Sequence, residues 1–224
     1  MRLMLPRTAV ADIGTLVPFA RAILGGRVPE GAKELLRGGR LLALRKNGAG
    51  DVRPICVGEV WRRWIAKAIC HAQKDTWAGA LGTQQYAVGL PGGSEALVAS
   101  VRTHVEAGPG RGVLALDARN AYNACSRQCV LDGVAELDPT VLDYVCDFYL
   151  DSPELLYAGD DGAVHTIRSE EGVQQGDPLA PFLFSAGLKP TLDGITARLG
   201  ESAMMAAYLA DVPSVDEAAK LGRA

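Results

Sequence analysis

At 224 residues, with 48% hydrophobic and 22% charged side chains, the chain has the makeup of a folded globular protein of one large domain or two small ones, which excludes disorder as its default state. Its net charge of −3 conceals an uneven spread: residues 1–75 carry 14 Lys/Arg against 6 Asp/Glu, and the remainder carries 9 against 20. A basic half beside an acidic half suits a protein that grips phosphate with one part and holds metal with the other, a solvated basic face being the alternative. The five cysteines (Cys56, Cys70, Cys125, Cys129, Cys146) are odd in number and irregular in spacing. That argues against a disulfide framework and for a reducing compartment. Cys125 and Cys129 could share a helical face, but no His or Cys pair completes a zinc site, so all five are expected to pack as small apolar groups. Residues 9–24 are apolar but interrupted by Asp12, Pro18 and Arg21, and too short for a membrane span. An intracellular protein, nuclear or cytoplasmic, not secreted and without a membrane partner, is expected.

In chain order, helices are predicted around 15–24 and 31–36. Strands at 40–45 and 52–56 flank a turn at 47–51, as in a hairpin. Val57, Val60, Trp61, Trp64, Ile65, Ala68 and Ile69 recur at helical spacing, predicting an amphipathic helix to about Lys74 with the tryptophans inward and Arg62, Arg63 and Lys67 on its solvated face. Ser94 is the expected N-cap of a helix to about Ala107. Val113–Leu116 reads as a short buried strand ending at Asp117. Helices follow at 126–137 and 139–150, the second with Pro139 in its first turn. Residues 155–158 and 163–168 flank Gly159-Asp160-Asp161-Gly162, a hairpin signal. A helix is predicted over 178–199 with a kink at Pro190, then a strand over 204–209. Beyond it Pro213 argues against a central strand, and Ser214 or Asp216 suggests the start of a short helix. Together this is an α+β pattern without regular βαβ alternation.

Three segments carry chemistry-bearing residues. Leu114-Ala115-Leu116-Asp117-Ala118-Arg119-Asn120-Ala121-Tyr122 delivers a carboxylate from a strand end, with an aromatic five residues on. Gly172-Val173-Gln174-Gln175-Gly176-Asp177-Pro178-Leu179 is a glycine-bounded polar loop opening a helix, suited to meet a phosphate or a base edge. Ala207-Tyr208-Leu209-Ala210-Asp211 is again a strand ending in a carboxylate. His71, His104 and His165 are scattered and suggest no function.

These segments resemble motifs A, B and C of reverse transcriptases. Upstream, Arg53-Pro54-Ile55-Cys56-Val57-Gly58 resembles the first fingers motif, and Gln85-Tyr86-Ala87-Val88-Gly89 with Gly92-Gly93 the second. Leu24-Gly25-Gly26-Arg27-Val28-Pro29 and Leu41–Lys46 are similar to the lead-in of reverse transcriptases from non-LTR retroelements. The resemblance covers residues 20–211 and implies the right-hand polymerase fold: fingers over 1–112, palm over 113–211, a divergent tail over 212–224 and an absent thumb, as in an element truncated after motif C. It implies RNA-directed DNA polymerase (nucleotidyltransferase) activity with an RNA template, a DNA primer and dNTPs as partners, and two Mg²⁺ ions held by carboxylates. Asp117 and Asp211 then stand at the catalytic and metal-binding positions. Tyr122, Gln175, Gly176 and Arg53 stand at nucleotide-binding positions, Tyr122 as the ring that disfavours a ribose 2′-OH. Arg62, Arg63 and Lys67 stand where they could reach template phosphates, a solvated helix face being the alternative.

One departure bears on activity. Ala210 occupies the position of the first motif C aspartate, and a methyl group cannot ligate Mg²⁺, so activity is expected to be impaired. The alternatives are a catalytically inactive nucleic-acid-binding retroelement remnant, or an RNA-dependent RNA polymerase, against which the bulk of Tyr122 argues.

Overall fold

The computed structural model of the protein describes residues 10–45, 52–199 and 203–217. The chain opens with helices α1 (Val10–Leu24) and α2 (Glu30–Arg37), then strands β1 (Gly39–Arg45) and β2 (Val52–Gly58), which pair antiparallel. The turn expected at 47–51 lies outside the described residues. Helix α3 (Val60–Leu81) follows; the Glu59 carboxylate accepts the Trp61 N–H at its start and Gly82, at φ 69°, ends it. Next come α4 (Gly93–Glu106), β3 (Arg111–Asp117), α5 (Ala121–Ala124), α6 (Arg127–Leu137) and α7 (Leu142–Tyr149). The hairpin of β4 (Glu154–Ala158) and β5 (Val164–Arg168), helix α8 (Ala180–Leu199), and strands β6 (Met204–Met205) and β7 (Asp211–Glu217) complete it. Helix α8 continues past Pro190 without interruption.

Two sheets result. One is four-stranded in the order β2-β1-β4-β5, with β1 and β4 parallel and the other pairs antiparallel; the other is three-stranded and antiparallel in the order β3-β7-β6. The main core lies among α3, α6, α7 and α8, where Trp77 stacks on Phe182 at 3.9 Å between ring centroids and donates its indole N–H to Asp138. Helices α6 and α8 approach so closely that a Cβ on Gly133 would meet the Ala186 carbonyl at 2.4 Å. That contact admits only glycine. Among the described residues no helix is long and apolar enough to cross a membrane.

Several expectations are corrected. The chain after Asp211 forms no helix: residues 211–217 are the central strand of the three-stranded sheet. Pro213 is compatible with that position because its carbonyl accepts the Ala206 N–H on the β6 side. A strand residue's N–H and C=O point the same way, so the missing N–H also faces β6, and the β3–β7 ladder loses nothing. Strand β3 is not buried, since Val113 and Leu116 are nearly half exposed on an edge strand. Helix α3 is rotated relative to its apolar pattern: its buried face is Arg62, Ile65, Ala66, Ile69, Trp77 and Leu81, and Trp61 and Trp64 lie outside, edge-on to each other, with Phe19 against Trp61. Helix α4 begins at Gly93 rather than being capped by Ser94, whose hydroxyl instead donates to Glu95.

Candidate active site

Strands β3 and β7 bring two carboxylates together. In their antiparallel register Asp117 stands directly opposite Asp211, and opposed residues in such a pair have Cα atoms about 4.5–5.5 Å apart. Both are exposed at one end of the sheet. The turn before Asp211 is tight: Tyr208 and Asp211 exchange both backbone hydrogen bonds, at 2.8 and 3.2 Å, leaving Leu209 and Ala210 as a two-residue loop. Leu209 adopts φ 57°, a conformation that such a loop imposes despite its side chain. Ala210 therefore occupies the tip beside both carboxylates.

A segment distant in sequence holds this tip. The Ala207 N–H donates to the Gln84 carbonyl and the Tyr86 N–H donates back to the Ala207 carbonyl, at 2.6 and 2.9 Å. The buried Gln85 side chain accepts from the N–H groups of both Ala87 and Leu209, each at 3.1 Å. Gln85 thus fastens the turn through its oxygen, a role that its sequence neighbours do not signal.

The loop before α8 forms the facing wall. The Gln175 carbonyl accepts the Cys56 N–H of β2 at 2.7 Å. Gly176, at φ 108°, lies where a Cβ would meet the Cys56 carbonyl at 2.4 Å, and Gly172, at φ 66°, lies as tightly against the Tyr122 carbonyl. Arg127 donates to the carbonyls of Gly172, Ser169, Glu171 and Asp151, gathering the loop's first half. Tyr122 stacks on Phe184 of α8, with centroids 5.0 Å apart and planes 8° from parallel. Burial, with Cys125 and Tyr208 nearby, pushes its hydroxyl well above the usual tyrosine range, so it stays neutral.

Between these walls lies an open cleft of about 590 Å³ lined by Asp117, Tyr122, Gln175, Gly176, Ala210, Asp211 and Arg53, among others. The catalytic and nucleotide-facing positions expected from the sequence are therefore gathered in one cavity, although they come from four separate elements (β2, β3, α5 and β7) and the loop before α8. The basic trio on α3 is not gathered there. Lys67 is exposed and Arg63 half-buried, neither lining the cleft. Arg62, at 2% exposure, is out of reach of any phosphate and pairs with Asp177 at 2.6 Å, correcting its expected contact with a template. Burial opposes its charge, but the Asp177 carboxylate outweighs that and raises its pKa, so it stays ionised. Helical periodicity treats arginine as a solvent residue; here a buried counter-ion makes it part of the core.

Among the described residues no group of three or more His, Cys, Asp or Glu is placed to hold a metal ion. Asp177 also lines the cleft, but its oxygens are engaged by Arg62, Tyr149 and the Leu179 N–H, so the candidate donor set there is the pair Asp117 and Asp211.

No family model matches the chain. The SLACS retrotransposable element 132 kDa protein of Trypanosoma brucei gambiense is 34% identical over 176 residues, 77% of this chain and 14% of that protein. The retrovirus-related Pol polyprotein from the type-1 retrotransposable element R2 of Popillia japonica is 31% identical over 107 residues, 44% of this chain and 15% of that protein. The chain thus spans about one seventh of either relative's length. Among solved structures, Candida albicans telomerase in complex with a fragment of telomeric RNA superposes with a TM-score of 0.64 at 11% identity, over 97% of this chain and 44% of that one. Apo telomerase from Candida tropicalis gives 0.61 at 10% identity, over 97% and 45%. These likenesses establish a mixed α+β fold of the kind found in telomerase. The retrotransposon relatives place the chain in the reverse transcriptase family, among domains of the non-LTR retrotransposon type.

Proposed function

We propose that the protein is the fingers (1–112) and palm (from 113) of an RNA-directed DNA polymerase, and that Ala210 leaves its catalytic step impaired. The observation that carries this reading is the direct opposition of Asp117 and Asp211 on the floor of a cleft that also exposes Tyr122, Gln175, Gly176 and Arg53. Nucleotide addition is an in-line displacement at phosphorus, in which positioning and charge stabilisation do most of the work. Asp117 and Asp211 would hold Mg²⁺, which when bound activates a primer hydroxyl and neutralises charge on the triphosphate. Two carboxylates suffice to hold one such ion, because Mg²⁺ keeps several waters and completes its shell with substrate phosphates. They do not suffice to bridge two, and the methyl group of Ala210 adds no donor at the tip. Arg53 faces the cleft as a cation for the triphosphate or template. The Tyr122 ring, fixed by Phe184, blocks the sugar position against a 2′-OH and so favours dNTPs.

The second reading is a nucleic-acid-binding domain without catalysis, and Ala210 at the tip is the feature that favours it. Primer extension on an RNA template, with dNTPs and either Mg²⁺ or Mn²⁺, separates the two. The unmodified chain is expected to give no product, and Ala210→Asp to restore incorporation. Robust synthesis by the unmodified chain would overturn the impairment. A chain that neither binds primer–template nor gains activity with Ala210→Asp would count against a polymerase altogether.

A further inference from the structure

Below the cleft, Arg62 grips the two residues that flank Gln175-Gly176. Its guanidinium donates to the Gln174 side-chain oxygen at 3.1 Å and to the Asp177 carboxylate at 2.6 Å. A third donation reaches the Arg37 carbonyl at 3.4 Å, and the cationic carbon lies 4.8 Å from the Phe148 ring centroid and 5.3 Å from that of Tyr149. Asp177 in turn accepts the Tyr149 hydroxyl at 2.6 Å and, through its other oxygen, the Leu179 N–H at 2.9 Å. The Arg62 backbone carbonyl accepts the Tyr144 hydroxyl. Of this node only Asp177 lines the cleft, beside Gln175 and Gly176. The node therefore joins α3 and α7 to the second half of the loop, as Arg127 gathers its first half.

We propose that Arg62 is a positioning residue for the nucleotide-facing loop: its fork spans Gln174 and Asp177, sets the height of Gln175-Gly176 against Cys56, and thereby shapes the pocket for an incoming nucleotide. The inference rests on the polymerase reading for the ligand's identity. A planar fork reaches both partners at once, whereas an ammonium supplies a single point charge. Lysine at this position would keep the ion pair with Asp177, release Gln174 and lose the flat contact with the two rings.

The test compares the intact chain with Arg62→Lys by amide hydrogen exchange, and by separate titrations with dGTP plus Mg²⁺ and with a short RNA template annealed to a DNA primer. In Arg62→Lys, exchange at the Cys56 and Leu179 amides should accelerate by about tenfold or more, as loss of one charge-assisted contact implies, while amides of 183–186 in α8 keep their protection. Affinity for dGTP should fall by about tenfold and affinity for primer–template should stay unchanged. Unchanged exchange at Cys56 and Leu179 would overturn the proposal. So would protection lost evenly through α8, the mark of a merely structural role. Should Arg62→Lys fail to fold, Tyr149→Phe removes only the hydroxyl bond to Asp177; it must show the same local acceleration in weaker form, and its absence overturns the proposal. An intact chain that binds no dGTP would count against the polymerase reading, while the exchange comparison would still decide the role of Arg62.

Discussion

Cys56 is held at three points: its N–H donates to the Gln175 carbonyl, its carbonyl abuts Gly176, and its thiol donates to Gln174 at 3.4 Å. Burial, only partly offset by Arg62, pushes its pKa up to about 11, and burial does the same for Cys70. The thiolate is the reactive form, so below that pH both are unreactive thiols. At pH 8 iodoacetamide should label the exposed Cys129 first and reach Cys56 and Cys70 only under denaturant; peptide mapping that found rapid native labelling of Cys56 would refute this. Gly176 is constrained from two sides, by φ 108° and by the Cys56 carbonyl. Gly176→Ala should therefore cost about 1–3 kcal/mol of stability in a denaturant melt, since strained backbone and a steric clash combine. The motif pattern made Gly176 recognisable from the sequence. Its physical reason, a neighbouring strand's carbonyl, comes from a residue 120 positions away and has no local signal.

At the scale of elements, the apolar patterns predicted most helices and both hairpin-like strand pairs at about the right places, because their periodicity is local. Two elements escaped them. Helix α3 buries an arginine in register with Ile65, Ala66 and Ile69, so a period read only from apolar residues chooses the wrong face. Strand β7 contains Pro213 and three acidic residues, a composition that opposes a central strand until the side carrying the missing N–H is known. Its buried positions are nonetheless decisive: Val215 is fully buried and joins Met204, Ala206 and Leu97 in one cluster. Val215→Asp should cost about 3 kcal/mol or more by burying an uncompensated charge. It should also separate Asp117 from Asp211, so that the variant loses cooperative unfolding. A variant as stable as the unmodified chain would show that β7 does not hold the sheet.

For the whole molecule, the uneven charge yields a prediction about binding. The basic residues of the first 75 positions should dominate contact with primer–template, and each phosphate neutralised releases counterions. Affinity should fall steeply, by roughly tenfold or more between 50 and 200 mM salt, when even a few phosphates are contacted. Fluorescence anisotropy across that range checks it, and binding indifferent to salt would exclude a phosphate-gripping surface. Lys67→Glu should weaken binding and Arg62→Lys should not, because only Lys67 is exposed to a polyanion.

The α+β class, the order of the motifs and the candidacy of Asp117, Tyr122, Gln175, Gly176 and Asp211 are legible in the sequence, because these depend on short spacings along one chain. How they meet is a matter of long-range contacts. The opposition of Asp117 and Asp211 follows from a strand register, the fastening of the turn from Gln85, and the inward place of Arg62 from a counter-ion supplied by Asp177. Each is a contact between residues far apart in the chain, and no local period encodes where such partners will be found.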